Sequence, residues 1–181
     1  MNYSAIKKCD IANGPGVRVS LFVSGCTHHC PGCFNPGTWD FDAGEPFGEK
    51  EQRDIFAALS ADYAEGLTLL GGEPFEPENQ RALLPFVREA KRLFPSKSVW
   101  AYTGYVYDRD IAPPGGRAHC EATDELLSFV DVLVDGPFVE SLKNISLRFR
   151  GSSNQRFLEL HAPGGVKDAT ERYSPSDGRR A

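Results

Sequence analysis

Apolar positions along the chain fall in short runs separated by amphipathic stretches. Residues 17–23, Val17-Arg18-Val19-Ser20-Leu21-Phe22-Val23, alternate imperfectly between Gly16 and Gly25, which predicts a buried strand. In 49–63 the residues Ile55, Phe56, Leu59 and Tyr63 recur at helical spacing, and Gly66 ends the pattern. Leu67-Thr68-Leu69-Leu70 predicts a second strand. From 78 to 94, Leu83, Val87, Ala90 and Phe94 share one helical face, with Lys91 and Arg92 placed to suit the carboxyl end of the dipole. Pro85 inside that stretch removes a hydrogen bond and predicts a kink. Residues 98–102 predict a third strand and 111–116, Ile-Ala-Pro-Pro-Gly-Gly, a loop. Thr123 is placed to cap a short helix over 124–129 with acids in its first turn. Residues 132–134 read as a fourth strand and 156–160 as a last one. Ahead of all these, residues 1–16 end in Asn13-Gly14-Pro15-Gly16, a turn that folds an extended segment back beside the first strand.

Strands alternating with helices call for right-handed crossovers and a parallel sheet. Four or five such units fit in 181 residues, whereas a closed barrel of eight takes about 250. The expectation is an α/β fold, an incomplete TIM-like (β/α) barrel with an open parallel sheet. One domain over 1–165 is expected, followed by a flexible tail over 166–181 that frays from 174 onward. A net charge of −5, with basic residues scattered, argues against a nucleic-acid footprint. No stretch reaches the length of a membrane span, and Met1-Asn2-Tyr3-Ser4 opens no signal peptide, so no membrane contact and a cytoplasmic location are expected.

Chemistry concentrates in Cys26-Thr27-His28-His29-Cys30-Pro31-Gly32-Cys33, directly after the first predicted strand. Three thiols within eight residues of one loop can turn toward one centre and ask for a metal. Structural zinc wants four ligands, and an ordinary iron-sulfur cluster takes four cysteines. With a fourth thiolate missing, a four-iron cluster would have three irons on protein sulfur and one open to a small molecule. Two other readings stand beside this one: a redox dithiol at Cys30-Pro31-Gly32-Cys33, and a zinc-binding interaction module using Cys26, Cys30 and Cys33 with His28 or His29. An odd total of five cysteines does not resemble a disulfide framework, and Cys9 and Cys120 read as isolated thiols.

Ligands of parallel sheets bind outside the carboxyl ends of the strands. Four unusual loops fall there: the cysteine loop, Gly71-Gly72-Glu73-Pro74, Thr103-Gly104-Tyr105 and Asp135-Gly136-Pro137-Phe138. The glycine pair lets a ligand approach backbone carbonyls, and Glu73 adds charge suited to an amino group. Asp135 ends an apolar strand, where it either holds something or simply opens a turn. His28 and His29 read as polar loop residues facing solvent or a partner, and Phe34 and Trp39 as packing that dries the site. Arg148, Arg150, Asn154, Gln155 and Arg156 make a set of planar donors suited to gripping a partner's carboxylate or backbone.

The cysteine spacing, three and then two intervening residues, resembles the signature of the radical S-adenosylmethionine superfamily. Its continuation, Phe34-Asn35-Pro36-Gly37-Thr38-Trp39-Asp40, is similar to the glycyl-radical-enzyme activases. Trp100-Ala101-Tyr102-Thr103-Gly104-Tyr105, the stretch 132–138 and Arg150-Gly151-Ser152-Ser153-Asn154-Gln155-Arg156 resemble one branch, the activating proteins of anaerobic (class III) ribonucleoside-triphosphate reductases. The resemblance implies a [4Fe-4S] cluster on Cys26, Cys30 and Cys33 and S-adenosyl-L-methionine on its open iron. Gly32, Cys33, Phe34, Gly71, Gly72, Glu73, Thr103 and Asp135 would then surround that cofactor. It further implies an oxidoreductase that raises a glycyl radical on the reductase, a flavodoxin-like electron donor, and room for a homodimer. A pyruvate formate-lyase activase or a deazaguanine synthase would share the cysteine loop and Gly-Gly-Glu but not the stretch 150–156.

Overall fold

The structure is a computed structural model and describes residues 1–174. Its centre is four parallel strands: β2 (Val17–Val23), β4 (Ala64–Gly71), β5 (Ser98–Tyr102) and β6 (Val132–Asp135). β1 (Asn2–Asp10) runs antiparallel to β2, as the turn at 13–16 predicts, and β3 (Glu45–Pro46) lies outside it. At the other edge β7 (Arg156–Glu159) and β8 (Lys167–Asp168) follow β6, each antiparallel to its neighbour. The spatial order is β3-β1-β2-β4-β5-β6-β7-β8, an eight-stranded mixed sheet. The expected α/β fold is present, and its parallel part is confined to the middle.

Strand periodicity sorts the side chains into two layers. Val19, Leu21, Val23, Leu67, Leu69, Val99, Ala101 and Leu133 face the helices α1 (Glu49–Leu59), α2 (Pro77–Leu93) and α3 (Thr123–Phe129), meeting Ile55, Leu59, Leu83, Phe86, Val87 and Leu126. On the opposite face Trp100, Val132, Val134 and Phe157 pack with Tyr102, Phe149 and Tyr173. Every crossover therefore lands on one side, and the carboxyl ends of β2, β4, β5 and β6 share one rim.

Several boundaries differ from the sequence pattern. The first helix stops at Leu59, and Tyr63 is exposed rather than on its apolar face. Ser60 ends it, its hydroxyl donating to Ala57 O at 2.8 Å, a local bond that competes with continued helix. Lys97 Nζ then holds the turn by donating to Ala61 O at 3.1 Å and Ala64 O at 2.5 Å, and β4 begins there. Pro85 lies inside an unbroken α2 on its exposed side, where water can reach the carbonyl left without a donor. Thr123 does not cap α3: its hydroxyl accepts from Cys120 N at 2.8 Å and donates to Gln80 Oε1 at 2.6 Å, tying α3 to α2. Residues 107–111 form a wide helical turn, closed by Ala112 N donating to Tyr107 O at 2.9 Å, that buries Ile111.

The flexible tail expected from 166 is corrected. β8 pairs with β7, and α4 (Thr170–Tyr173) sets Tyr173 against Trp100 and Phe157, with ring centroids 5.1 and 5.0 Å apart. Tyr173 carries no periodic signal, because a lone aromatic in a polar stretch reads as surface. The part of the expected frayed end beyond Ser174 lies outside the described residues. Tyr173→Ala should lower unfolding stability by about 2 kcal/mol, as loss of a half-buried aromatic does. Urea denaturation of the metal-free protein checks this, and an unchanged midpoint would return 166–174 to the status of a tail.

Candidate metal centre

The cysteine loop leaves β2 and returns to it. Gly25 N donates to Thr38 O at 2.8 Å and Cys26 N to Trp39 O at 3.0 Å, so residues 38 and 39 close the loop against the strand end. Cys26 is buried at this root, while Cys30 and Cys33 are half-buried in the turn that Cys33 N closes on Cys30 O at 3.1 Å. All five cysteines are free thiols. One backbone amide already addresses a sulfur: Asn35 N donates to Cys33 Sγ at 3.4 Å. Burial pushes the Cys26 thiol up to about 12 and raises that of Cys30. Such thiols become thiolates when a cation displaces their protons.

Glu73 sits beneath this loop and is only 1% exposed. Its Oε2 accepts from Gly104 N at 2.7 Å and faces His28 Nε2 at 3.0 Å, and its Oε1 accepts from Phe75 N at 2.8 Å. Three of the four predicted loops thus meet on one carboxylate. The reading of His28 as a solvent-facing loop residue is corrected: its imidazole is largely covered, against Tyr105 at 4.3 Å between ring centroids. His29 does face outward, its ring beside that of Trp39 at 4.7 Å. Gly72 has a packing explanation as well, because a Cβ there would stand 2.6 Å from Gly25 O. The second glycine lets the end of β4 lie directly on the root of the cysteine loop.

Asp135 is buried at the end of β6 and is likewise occupied. It accepts from Arg156 Nε at 3.0 Å, from Arg156 Nη2 at 2.6 Å and from Tyr107 N at 2.8 Å. The other half of that arginine reaches Asp108 at 2.9 Å. The expectation that the run 148–156 grips a partner is therefore corrected for most of its members. Asn154 donates to Pro137 O at 2.8 Å and Gln155 to Gly136 O at 3.2 Å, while Arg150 donates to the carbonyls of Ser153 and Gln155. These side chains build the loop after β6, and only Arg148 is left stacked over Phe149. Thr103 is buried, its hydroxyl accepting from Tyr105 N at 3.0 Å. Phe34 is 97% exposed, against the expectation that it packs, whereas Trp39 is half-buried. Gly32 lies beside Glu140, close enough that a Cβ would come within 2.9 Å of its carboxylate.

The donor set suits a cluster better than a single ion. His28 Nε2 is turned to Glu73 at 3.0 Å, and the His29 ring lies outward beside Trp39. Among the described residues no three His, Cys, Asp or Glu side chains gather as one ion requires. A cubane asks for less convergence, since each thiolate takes a different iron. Three free thiols on one loop, with an amide directed at the Cys33 sulfur, fit three corners of a [4Fe-4S] cluster.

A family model described as a 4Fe-4S single cluster domain matches residues 12–158. Anaerobic ribonucleoside-triphosphate reductase-activating proteins are among the curated relatives. That of Pasteurella multocida (strain Pm70) is 43% identical over 157 residues, covering 86% of this chain and 95% of the relative. That of Enterobacteria phage T4 is 41% identical over 156 residues, covering 86% and 92%. That of Escherichia coli (strain K12) is 41% identical over 157 residues, covering 86% and 96%.

Proposed function

We infer, from the premise that the chain belongs to the family of anaerobic ribonucleoside-triphosphate reductase-activating proteins, that it is an enzyme that activates such a reductase. The observation that carries this is the trio of free cysteines at the end of β2, with no fourth thiol in the loop. When bound, the cluster supplies one electron that cleaves S-adenosylmethionine to methionine and a 5'-deoxyadenosyl radical, which takes hydrogen from a backbone glycine of the reductase. Cys26, Cys30 and Cys33 would hold three irons. Gly71 and Gly72 bring bare backbone to the same rim, where carbonyls can receive the amino group of the cofactor. Gly32, Phe34, Thr103 and Asp135 would border the cofactor in this reading, Asp135 through the loop it anchors with Arg156.

The parallel strands would form the wall of an incomplete barrel, leaving one side open for a macromolecular substrate. Phe34 and Ile145, 97% and 93% exposed, support an apolar rim for that substrate. The segment carrying Ile145 borders the cysteine loop through Glu140 on Gly32. A cytoplasmic location, a flavodoxin-like donor and a homodimer belong to the same reading. Among the described residues no helix is long and apolar enough to cross a membrane.

The decisive experiment mixes the anaerobically reconstituted protein with a class III reductase, reductant and S-adenosylmethionine. A glycine-centred doublet in electron paramagnetic resonance is expected, and its absence from a preparation containing the cubane would overturn the reading. Ile145→Asp should lower the radical yield by roughly tenfold if the residue is an apolar anchor, with an unchanged melting temperature because the side chain is exposed.

A further inference from the structure

Two carboxylates follow β4, and neither points into open space. Glu76 Oε1 accepts from Thr27 N at 2.8 Å and from Thr27 Oγ1 at 2.6 Å. Glu73 receives His28 at 3.0 Å, Gly104 N at 2.7 Å and Phe75 N at 2.8 Å. We propose that His28 and Glu73 form a latch that sets the cysteine loop against the ends of β4 and β5. His28 is then a positioning residue for the cluster, and Glu73 acts through it rather than by touching S-adenosylmethionine. The proposal rests on the cluster assignment above.

The geometry leaves Glu73 little to offer a ligand. A carboxylate only accepts, so His28 Nε2 carries the proton and donates. Both oxygens are engaged by groups of the protein, and burial at 1% exposure removes solvent as an alternative partner. The surroundings are shaped to the imidazole. It lies against Tyr105, and a Cβ on Gly104 would stand 2.8 Å from it, so that position needs glycine for the ring to fit. Thr27 and His28 lie between Cys26 and Cys30, and each is pinned by its own carboxylate. Beyond them, from Cys30 to Asn35, the bonds given above are mostly local ones: Cys33 N to Cys30 O and Asn35 N to Cys33 Sγ. Cys26 is held at the root by Trp39, and the placement of Cys30 relative to the backbone of Gly71 and Gly72 thus follows from the latch together with the Thr27–Glu76 contact.

Three variants test this, in metal-free and in anaerobically reconstituted protein. His28→Phe keeps a ring against Tyr105 but removes the donor. His28→Gln keeps a donor, and Glu73→Gln leaves one carbonyl oxygen for three donors, so its amide nitrogen faces either the N–H of Phe75 or those of Gly104 and His28. In metal-free protein, amide exchange at Thr27 and Gly104 and iodoacetamide labelling of Cys26 should quicken by about tenfold or more in His28→Phe and Glu73→Gln. His28→Gln should restore most of the protection. In reconstituted protein, His28→Phe should retain iron while its reduced cluster gives a broadened resonance and a shifted potential. Unchanged exchange, labelling and resonance in His28→Phe would overturn the latch. So would a Glu73→Gln protein that loses S-adenosylmethionine binding while its metal-free loop stays fully protected. A parent chain that assembles no cubane would instead overturn the proposed function, and the metal-free comparison would still decide the latch.

Discussion

Cys33→Ala should abolish 5'-deoxyadenosine formation and leave no glycyl radical on the reductase, while the metal-free chain stays folded. Cys33 lies half-buried in the turn, and the contact of its sulfur given above is the amide of Asn35 at 3.4 Å. Truncation therefore removes little packing, and the unfolding free energy should change by no more than about 0.5 kcal/mol. The chemical loss is of a different order. Two thiolates cannot replace three around a cubane, and a cluster lost or converted leaves no open iron beside the rim. Iron and sulfide analysis, chromatographic detection of 5'-deoxyadenosine and resonance spectra of the reductase read the result. Cys9→Ala is the control, since that thiol is exposed on β1, with the Tyr63 hydroxyl 3.8 Å away. Retained cleavage in Cys33→Ala, or its loss in Cys9→Ala, would remove the cluster from the loop to which it is assigned.

The cysteine loop was legible because its information is local: three residues of one kind at short spacing, after a strand. The parallel core was legible for a similar reason, since Leu67, Leu69, Val99 and Leu133 belong to short apolar runs bounded by glycines and loops. What the chain does not announce are partnerships between distant polar residues. His28 reads as a loop histidine until the fold brings Glu73 to it across 45 positions. Arg156 reads as a hand for a partner until β7 returns antiparallel to β6 and sets it on Asp135. The residues 166–174 read as a tail because Tyr173 has its partners, Trp100 and Phe157, on strands far earlier. Periodicity reports burial of apolar faces, and it is silent on polar groups that become buried only in company.

Arg18 is the extreme case of such a group, and its removal should cost the most stability. It occupies a strand position in an apolar run yet is fully buried, and among the described residues no carboxylate lies within ion-pair reach of it. Its partners are neutral oxygens on two neighbouring strands. Nε donates to Thr68 Oγ1 at 2.6 Å, Nη1 to Ser98 Oγ at 3.0 Å, and Nη2 to Leu67 O at 2.7 Å and Ser98 O at 3.0 Å. The guanidinium lies 5.5 Å from the Trp100 ring, and Gly14 and Gly66 leave it space. Burial lowers its pKa to about 10, still charged at neutral pH. One side chain therefore joins β2, β4 and β5 at their amino ends, opposite the cysteine loop. Arg18→Ala leaves a void and several buried acceptors without donors, and should destabilise by about 4 kcal/mol. Arg18→Met fills much of the void without donating and should cost about half as much, roughly 2 kcal/mol. Urea unfolding of the metal-free variants separates the two contributions. Because the site lies at the other end of the strands, the folded fraction of Arg18→Met should assemble its cluster normally. A neutral Arg18→Met would mean that desolvation of the charge cancels its four bonds and that shape alone holds these strand starts together.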